Sequence, residues 1–121
     1  MTTISFTAAN LAADDYRQSL LSPPDATPIS GDIVVRGFAP FIQPEQKIVA
    51  GSWESEPGIS RWEFLSRGEF IHVIAGRMTV QEDGQEPLEL TTGMSAVFPM
   101  GWTGIWTVHE TLRKVFVIFK E

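Results

Sequence analysis

The chain has 121 residues, 43% hydrophobic and 20% charged, so it is long and apolar enough to bury one core. Its formal net charge is −6 and its nine basic residues are scattered, which argues against nucleic acid or an anionic membrane surface as a partner. The absence of cysteine excludes disulfides, thiolate metal sites and a cysteine nucleophile. We find no secretory signal and no apolar run long enough to span a bilayer, so we expect a cytoplasmic protein.

The first third of the sequence, residues 1–45, is expected to form an irregular N-terminal arm of a single domain. Residues 8–21 predict a short helix with a weak apolar face, which Pro23-Pro24 ends because proline cannot donate a backbone hydrogen bond. Residues 33–36 predict a short strand, and residues 38–44 an extended arm. We expect this arm to pack across the domain or reach a neighbouring subunit, or else only to cover one sheet as a surface segment.

The body of the domain, residues 46–121, alternates short strand patterns with turn signals. Asp83-Gly84 is a strong hairpin signal, because the tightest hairpin turns need positive φ at both central residues. The predicted strands are residues 47–53, 59–65, 69–75, 77–81, 87–90, 95–98, 104–109 and 112–120. So many short strands separated by turns predict an all-β antiparallel barrel or sandwich.

Two spacings in this body are similar to the motifs of the cupins. Six residues separate Glu69 from Gly76, and five separate Gly93 from Pro99-Met100-Gly101. A more specific resemblance is to the cupin subfamily named after the ureidoglycine aminohydrolase cupin domain. It rests on Gly51-Ser52-Trp53-Glu54, Pro57-Gly58, Gly101-Trp102-Thr103-Gly104-Ile105-Trp106 and Arg113-Lys114. It covers the chain from Lys47 to the C-terminus, and it implies a cupin double-stranded β-helix, a jelly-roll barrel, that forms a homodimer.

Metal-binding cupins hold their ion with three histidines and one glutamate, and the resemblance implies where these would fall. The histidine positions here hold Trp62 and Phe64 (or Glu63 and Leu65 if the preceding turn is one residue shorter), and Gly104. Only the glutamate, Glu69, is kept. Because a stable transition-metal site usually needs at least three protein ligands, we expect no metal cofactor.

A rebuilt metal site is the weaker alternative. It would use Glu63, Glu69 and His72 to hold a divalent ion such as Mn, Zn or Fe. However, His72 lies three residues after Glu69, so strand alternation places the two side chains on opposite faces unless a bulge intervenes. The other histidine, His109, is expected to be exposed at a strand end.

Glu69 is the strongest candidate for chemistry. The resemblance places its carboxylate in the barrel interior among tryptophans, which makes it a candidate general acid or base. The structural alternative is that Glu69 pairs with a nearby arginine or accepts hydrogen bonds from the backbone at a turn.

Aromatic residues are the second candidate feature. If Gly104 faces inward, so does Trp106, and under the longer-turn count so do Trp62 and Phe64. These rings would line a ligand pocket or simply fill the barrel. We expect Trp53 and Trp102, which lie nearer strand ends, at the mouth or in a subunit contact. Of the basic residues Arg61, Arg67, Arg113 and Lys114, we expect most to be solvated and any at the mouth to hold a carboxylate.

Three functions are consistent with these features. The first is a metal-free protein that binds a small organic ligand, with Trp53, Trp62, Phe64, Glu69 and Trp106 as its binding residues. The second is a metal-dependent enzyme acting on a ureido or amino-acid-derived substrate, which the resemblance implies. The third is a scaffold with a filled interior that acts through its surface. Fold-level resemblance alone does not decide among them.

Overall fold

The computed structural model describes residues 2–121, and these form nine strands. The strands are β1 (Arg17–Leu20), β2 (Ala26–Pro28), β3 (Val34–Gln43), β4 (Ile48–Ser55), β5 (Gly58–Glu63), β6 (Arg67–Glu82), β7 (Leu88–Thr91), β8 (Ser95–Phe98) and β9 (Thr103–Lys120). The helical segments within residues 2–121 are two single 3₁₀ turns, Ala8–Asn10 and Ala13–Asp15. Neither has the length and apolar character needed to cross a membrane.

Two long strands, β6 and β9, connect the two halves of the barrel. They pair with each other along most of their length. The first part of β9 pairs with β5 and its second part with β4, whereas the first part of β6 pairs with β8 and its second part with β7. Two antiparallel sheets result, β1-β3-β4-β9-β6-β8 and β2-β5-β9-β6-β7, which share the long strands. The prediction of an all-β jelly-roll barrel is confirmed.

A bend in β6 turns the chain from one sheet into the other. The pairing register of β6 with β9 shifts between Val73 and Met78. Gly76 lies in this segment with φ +90°, and a Cβ there would lie 2.2 Å from the carbonyl oxygen of Thr111. Glycine is therefore required by both backbone conformation and space. The predicted strands 69–75 and 77–81 are parts of one bent strand, and 104–109 and 112–120 are likewise both parts of β9.

The N-terminal third differs from its prediction. The helix expected over residues 8–21 is wrong, because this segment forms the two 3₁₀ turns and strand β1, which pairs with β3. The arm expected over residues 38–44 lies almost wholly within β3, hydrogen-bonded to β4, with a register shift between Phe38 and Phe41. These pairings join residues distant in sequence, and they override a weak local helical pattern.

The interior is divided between an aromatic cluster and an open cavity. In the cluster, the Trp62 and Trp106 rings stack with centroids 3.9 Å apart, and Phe98 lies 5.5 Å from Phe64 and 5.0 Å from Trp102. Burying an aromatic side chain of this size contributes roughly 1.5–3 kcal/mol relative to exposure, so the cluster is a main stabilising element. Trp62 also lines the cavity, so the two regions share a wall.

Candidate functional site

A cavity of 520 Å³ opens beside the aromatic cluster. Its walls come from β1, β3, β4, β5, the start of β6 and the second half of β9, with Trp53, Trp62 and Phe116 as the aromatic side chains. The charged residues that line it are Arg17, Asp25, Arg67, Glu69 and Lys114. The space is large enough for a small organic molecule, and it combines apolar walls with a few polar groups, as ligand pockets usually do.

The floor of the cavity is a buried ion pair. Lys114 Nζ donates a hydrogen bond to Glu69 Oε2 over 2.7 Å, and each residue is 2% exposed. Glu69 lies on β6 and Lys114 on the adjacent β9, and both side chains point inward. A pair this deeply buried needs close geometry to offset the loss of hydration, and the short contact supplies it.

Indole rings surround the ammonium group of Lys114. Nζ lies 4.4 Å from the ring centroid of Trp53, 4.7 Å from that of Trp106 and 5.9 Å from that of Trp62, distances at which a cation is attracted to an aromatic face. Burial in this apolar surrounding lowers the pKa of Lys114 below its ordinary value, and the neighbouring Glu69 carboxylate opposes that shift.

One oxygen of Glu69 faces the cavity. Oε2 accepts from Lys114, whereas Oε1 has no hydrogen-bond partner among residues 2–121. Within residues 2–121, the fully buried side-chain nitrogen and oxygen atoms without a hydrogen-bond partner comprise only Trp106 Nε1. Glu69 Oε1 has no partner and is not in this group, so it keeps some contact with solvent. Since Glu69 lines the cavity, Oε1 is a free acceptor at its floor.

Two arginines lie at the outer part of the cavity. Arg67 Nη1 is 3.3 Å from Asp25 Oδ1, a partly exposed ion pair. Arg17 is exposed, and no carboxylate of residues 2–121 lies within ion-pair distance of it. The lining therefore carries three cations against two anions, which leaves one positive charge without a protein partner.

Trp106 lies inward as alternation predicts, and Trp62 and Phe64 lie inward as the longer-turn count predicts. Trp62, Phe64 and Trp106 are buried and Trp53 lines the cavity. We expected Trp102 at the mouth or in a subunit contact. It does not lie at the mouth. Its ring is 8% exposed and packs against Phe98 in the aromatic cluster. Whether any of these residues binds a ligand stays a prediction.

Lys114 is the functional candidate that sequence reasoning missed, because it was grouped with solvated basic residues. The signal was present. The two-residue alternation that turns Trp106 inward, once β9 is continuous, also turns Leu112, Lys114 and Phe116 inward. The structural alternative for Glu69 was a pairing with arginine or backbone, and its partner is this lysine instead.

The other basic residues that were grouped with Lys114 take different places. Arg61 pairs with Asp83 on the outer surface over 2.7 Å. Arg113 is partly buried, where it pairs with Glu54 over 2.9 Å and donates to the carbonyl oxygen of Ala8, so it anchors the N-terminal turns. Arg67 alone of the arginines considered in the sequence reaches the cavity.

The residues at the positions that correspond to the metal ligands of metal-binding cupins do not fit a transition metal. Trp62, Phe64 and Gly104 offer no donor atom there, and the ammonium of Lys114 holds one oxygen of Glu69. The rebuilt set of Glu63, Glu69 and His72 is not assembled either. Glu63 is exposed, and His72 is hydrogen-bonded to Ser95 Oγ on the opposite face of β6 from Glu69. Over residues 2–121, no three carboxylate or imidazole groups lie together as a metal site.

The second histidine, His109, is exposed as predicted, but it lies within β9 rather than at a strand end. Its Nε2 is 2.7 Å from Thr79 Oγ1 on β6. Neither histidine lines the cavity, so neither belongs to the candidate site.

Comparison with solved structures shows the same fold in proteins of several kinds. The EutQ protein of Clostridium difficile is 22% identical with a TM-score of 0.63, over 73% of this chain and 69% of that one. A DUF861 family protein of unknown function from Pseudomonas syringae pv. tomato is 23% identical with a TM-score of 0.70, over 84% of this chain. The present chain spans only 44% of that protein. Ectoine synthase from P. lautus is 14% identical with a TM-score of 0.65, over 71% of this chain and 64% of that one.

These identities are low enough that the structural likeness establishes the fold alone. A search of curated proteins finds no match. The sequence of residues 42–116, however, matches the EutQ-like cupin domain, and this region runs from the end of β3 through the Glu69–Lys114 pair. Because the match spans more than half of the sequence, the chain belongs to the EutQ-like cupin domain family.

Proposed function

We propose that this cupin binds a small organic carboxylate in its cavity and does so without a transition metal. The observation that carries the proposal is the uncompensated positive charge of Arg17 in a cavity whose other charged groups are paired. A single carboxylate on the ligand would balance this charge, and guanidinium groups bind carboxylates with paired, charge-assisted hydrogen bonds.

The other lining groups narrow the chemistry of the ligand. Glu69 Oε1 at the floor is an acceptor, so it suits an N–H or O–H donor on the ligand. Trp53 and Trp62 form apolar walls that suit a flat group between the two polar ends. The ligand class that fits is therefore a small molecule with a carboxylate at one end and a planar donor group at the other.

A ureido acid is one member of this class, because its terminal –NH₂ group is a donor in a planar unit. This agrees with the resemblance of the C-terminal stretch of the sequence to the ureidoglycine aminohydrolase-like subfamily, whose name refers to a ureido compound. A metal-dependent hydrolase is a less favoured role, since the side chains around Glu69 do not offer the ligands that a divalent transition metal needs. The cavity also argues against the third hypothesis, a scaffold whose interior is filled.

The proposal is tested by ligand titration followed through the indole N–H signals of the four tryptophans in ¹H–¹⁵N spectra. N-carbamoylglycine and phenylacetate are the probes, and their neutral amides are the matched controls. We expect the carboxylates to shift the Trp53 and Trp62 signals, with the Trp102 signal unchanged, and the amides to bind at least tenfold more weakly.

Variants assign the effect to the cavity. Arg17→Gln removes the unpaired charge and is expected to weaken carboxylate binding. Arg77→Gln, on an arginine that pairs with Glu89 outside the cavity, is the matched control and should leave binding unchanged. Equal weakening by both substitutions, or no shift at Trp53 with any carboxylate at millimolar concentration, would contradict the proposal.

We also propose that two copies associate through the outer face of the β8-β6-β9 sheet. Phe70 lies opposite both Val97 and Val117 in neighbouring strands, and the three side chains are 38%, 59% and 37% exposed. An apolar strip three strands wide on a soluble domain favours self-association. Phe70→Glu should shift the mass measured by light scattering from dimer to monomer, whereas Leu65→Glu, at an exposed loop position, should not. A wild-type chain that is monomeric at all concentrations would rule out this interface.

A further inference from the structure

The geometry of the cavity floor points to a covalent role for Lys114. We infer that its amine forms a Schiff base with the carbonyl carbon of a small oxo-acid, and that Glu69 carries the protons. The inference rests on the proposed carboxylate binding and narrows the ligand class to carboxylates that also bear an aldehyde or ketone.

The first support is the position of a proton acceptor. An amine attacks a carbonyl only when it is unprotonated, so a nucleophilic lysine needs a base within hydrogen-bond distance. Glu69 Oε2 is that base at 2.7 Å, and Nζ of Lys114 has no other hydrogen-bond partner among residues 2–121. The free Oε1 of the same carboxyl lies at the cavity floor, where the carbonyl oxygen of a bound oxo-acid would lie within its reach.

The second support is the apolar surrounding of the amine. Rings of Trp53 and Trp106 lie 4.4 and 4.7 Å from Nζ, and the residue is 2% exposed. Burial lowers the pKa of Lys114, and the charge of Arg67 lowers it further, against the opposing effect of Glu69. Transfer of one proton from Nζ to Glu69 converts the buried ion pair into a neutral amine and a neutral acid, which need no charge solvation.

The third support is the placement of the substrate. Arg17 and Arg67 lie at the outer part of the cavity, and Lys114 lies at its floor. A carboxylate held by Arg17 would direct an adjacent carbonyl carbon toward Nζ. Such positioning replaces a bimolecular encounter by a reaction within the complex, which is a large contribution to rate.

The chemical step balances with the groups present. The Nζ lone pair forms a C–N bond to the carbonyl carbon, and the carbonyl π electrons move to oxygen, which takes the proton held by Glu69. Glu69 then accepts one of the two protons on nitrogen. In the second stage Glu69 returns that proton to the hydroxyl group, the C–O bond breaks so that one water leaves, and the nitrogen lone pair forms the C=N bond. The product is a protonated imine beside the Glu69 carboxylate, so the net reaction from the ion pair is ammonium plus carbonyl giving protonated imine plus water.

Reductive trapping tests the inference on the wild-type protein. The chain has three lysines, and Lys47 and Lys120 are both exposed, so they serve as internal references for ordinary reactivity. The protein is incubated with glyoxylate and cyanoborohydride near neutral pH, and the modified lysine is identified by peptide mass spectrometry. We expect Lys114 to be modified at least tenfold faster than Lys47 or Lys120, despite its burial. Faster labelling of the two exposed lysines would overturn the inference.

Two variants separate this inference from the proposed function. Glu69→Gln keeps the size of the side chain but removes the base, and we expect the trapping rate at Lys114 to fall by about 100-fold, within the range for a general acid–base group. Lys114→Arg keeps the positive charge and should give no adduct in the cavity. If wild type binds phenylacetate but glyoxylate does not trap at Lys114, the covalent role fails and the binding proposal stands. If neither occurs, both fail.

Discussion

Removal of one member of the Glu69–Lys114 pair should destabilise the protein strongly, whereas removal of both should not. In Lys114→Met the methionine fills a similar volume, but the Glu69 carboxylate loses the partner that held it at 2.7 Å. Both residues are 2% exposed, so the little solvent that reaches them through the cavity does not replace a contact of this geometry. Leaving one charge buried without its partner costs about 3–5 kcal/mol.

This magnitude is large for a domain of 121 residues. With an unfolding entropy of about 2.1 cal/mol/K per residue, the midpoint of thermal unfolding falls by about 4 °C for each kcal/mol. Lys114→Met should therefore lower Tm by about 12–20 °C, and Glu69→Met by a similar amount. In the double variant no charge is left buried, and replacement of a buried pair by apolar groups of similar size is often neutral or stabilising.

The assay is urea unfolding of the four proteins of this double-mutant cycle, followed by tryptophan fluorescence at one protein concentration. We expect the free energy of unfolding of the double variant to lie within about 1 kcal/mol of the wild-type value. Its loss of stability is then far smaller than the sum of the losses in the two single variants. Arg61→Met, which breaks the exposed pair with Asp83, is the control and should change stability much less. Additive losses in the double variant, or single losses no larger than in the control, would refute the reasoning.

Three other predictions follow from the structure. Since burial lowers the pKa of Lys114, against the opposing charge of Glu69, the folded chain binds fewer protons than the unfolded chain between that lowered pKa and about 10.4. Wild-type stability should therefore rise with pH across this window by at most about 1.4 kcal/mol per pH unit, and the rise should be absent in Lys114→Met. Gly76→Ala should destabilise by at least about 2 kcal/mol more than Gly84→Ala, because both positions have positive φ but only the first places its Cβ against backbone, and denaturant midpoints measure the difference. Hydrogen bonds from Arg61 and Thr103 lower the pKa of Asp83 to about 2, so an NMR titration of Arg61→Gln should move this pKa up toward its ordinary value, and an unchanged value would show that the ion pair is not formed in solution.

The β-sheet body could be predicted because its information is local. Gly76, Gly93 and Gly101 have positive φ, the backbone conformation that glycine adopts readily, and they mark a bend and two turns. The resemblance to cupins and two-residue alternation together predict the burial of Trp106, and that of Trp62 under the longer-turn count, since a strand with one buried face has only two registers. The replacement of the histidines at the metal-ligand positions is also visible without a structure, because it depends only on which side chains are present.

The N-terminal third could not be predicted in this way. Residues 17–20 become a strand because β3 lies beside them, and β3 in turn depends on β4. Residues 33–36 and 47–53 do predict parts of β3 and β4, but within residues 8–21 the weak helical pattern is the only local preference. Long-range pairing decides the conformation in such segments.

The sequence by itself thus determined the fold class, the bend at Gly76 and the inward orientation of Glu69. Only the tertiary structure decided what Glu69 meets. Lys114 turns inward because the two predicted strands at the C-terminus join into one, and the paired register of β6 and β9 then brings its ammonium to the carboxylate. Charge partners across strands depend on that register, and the register is set by the assembled barrel rather than by any one stretch of sequence.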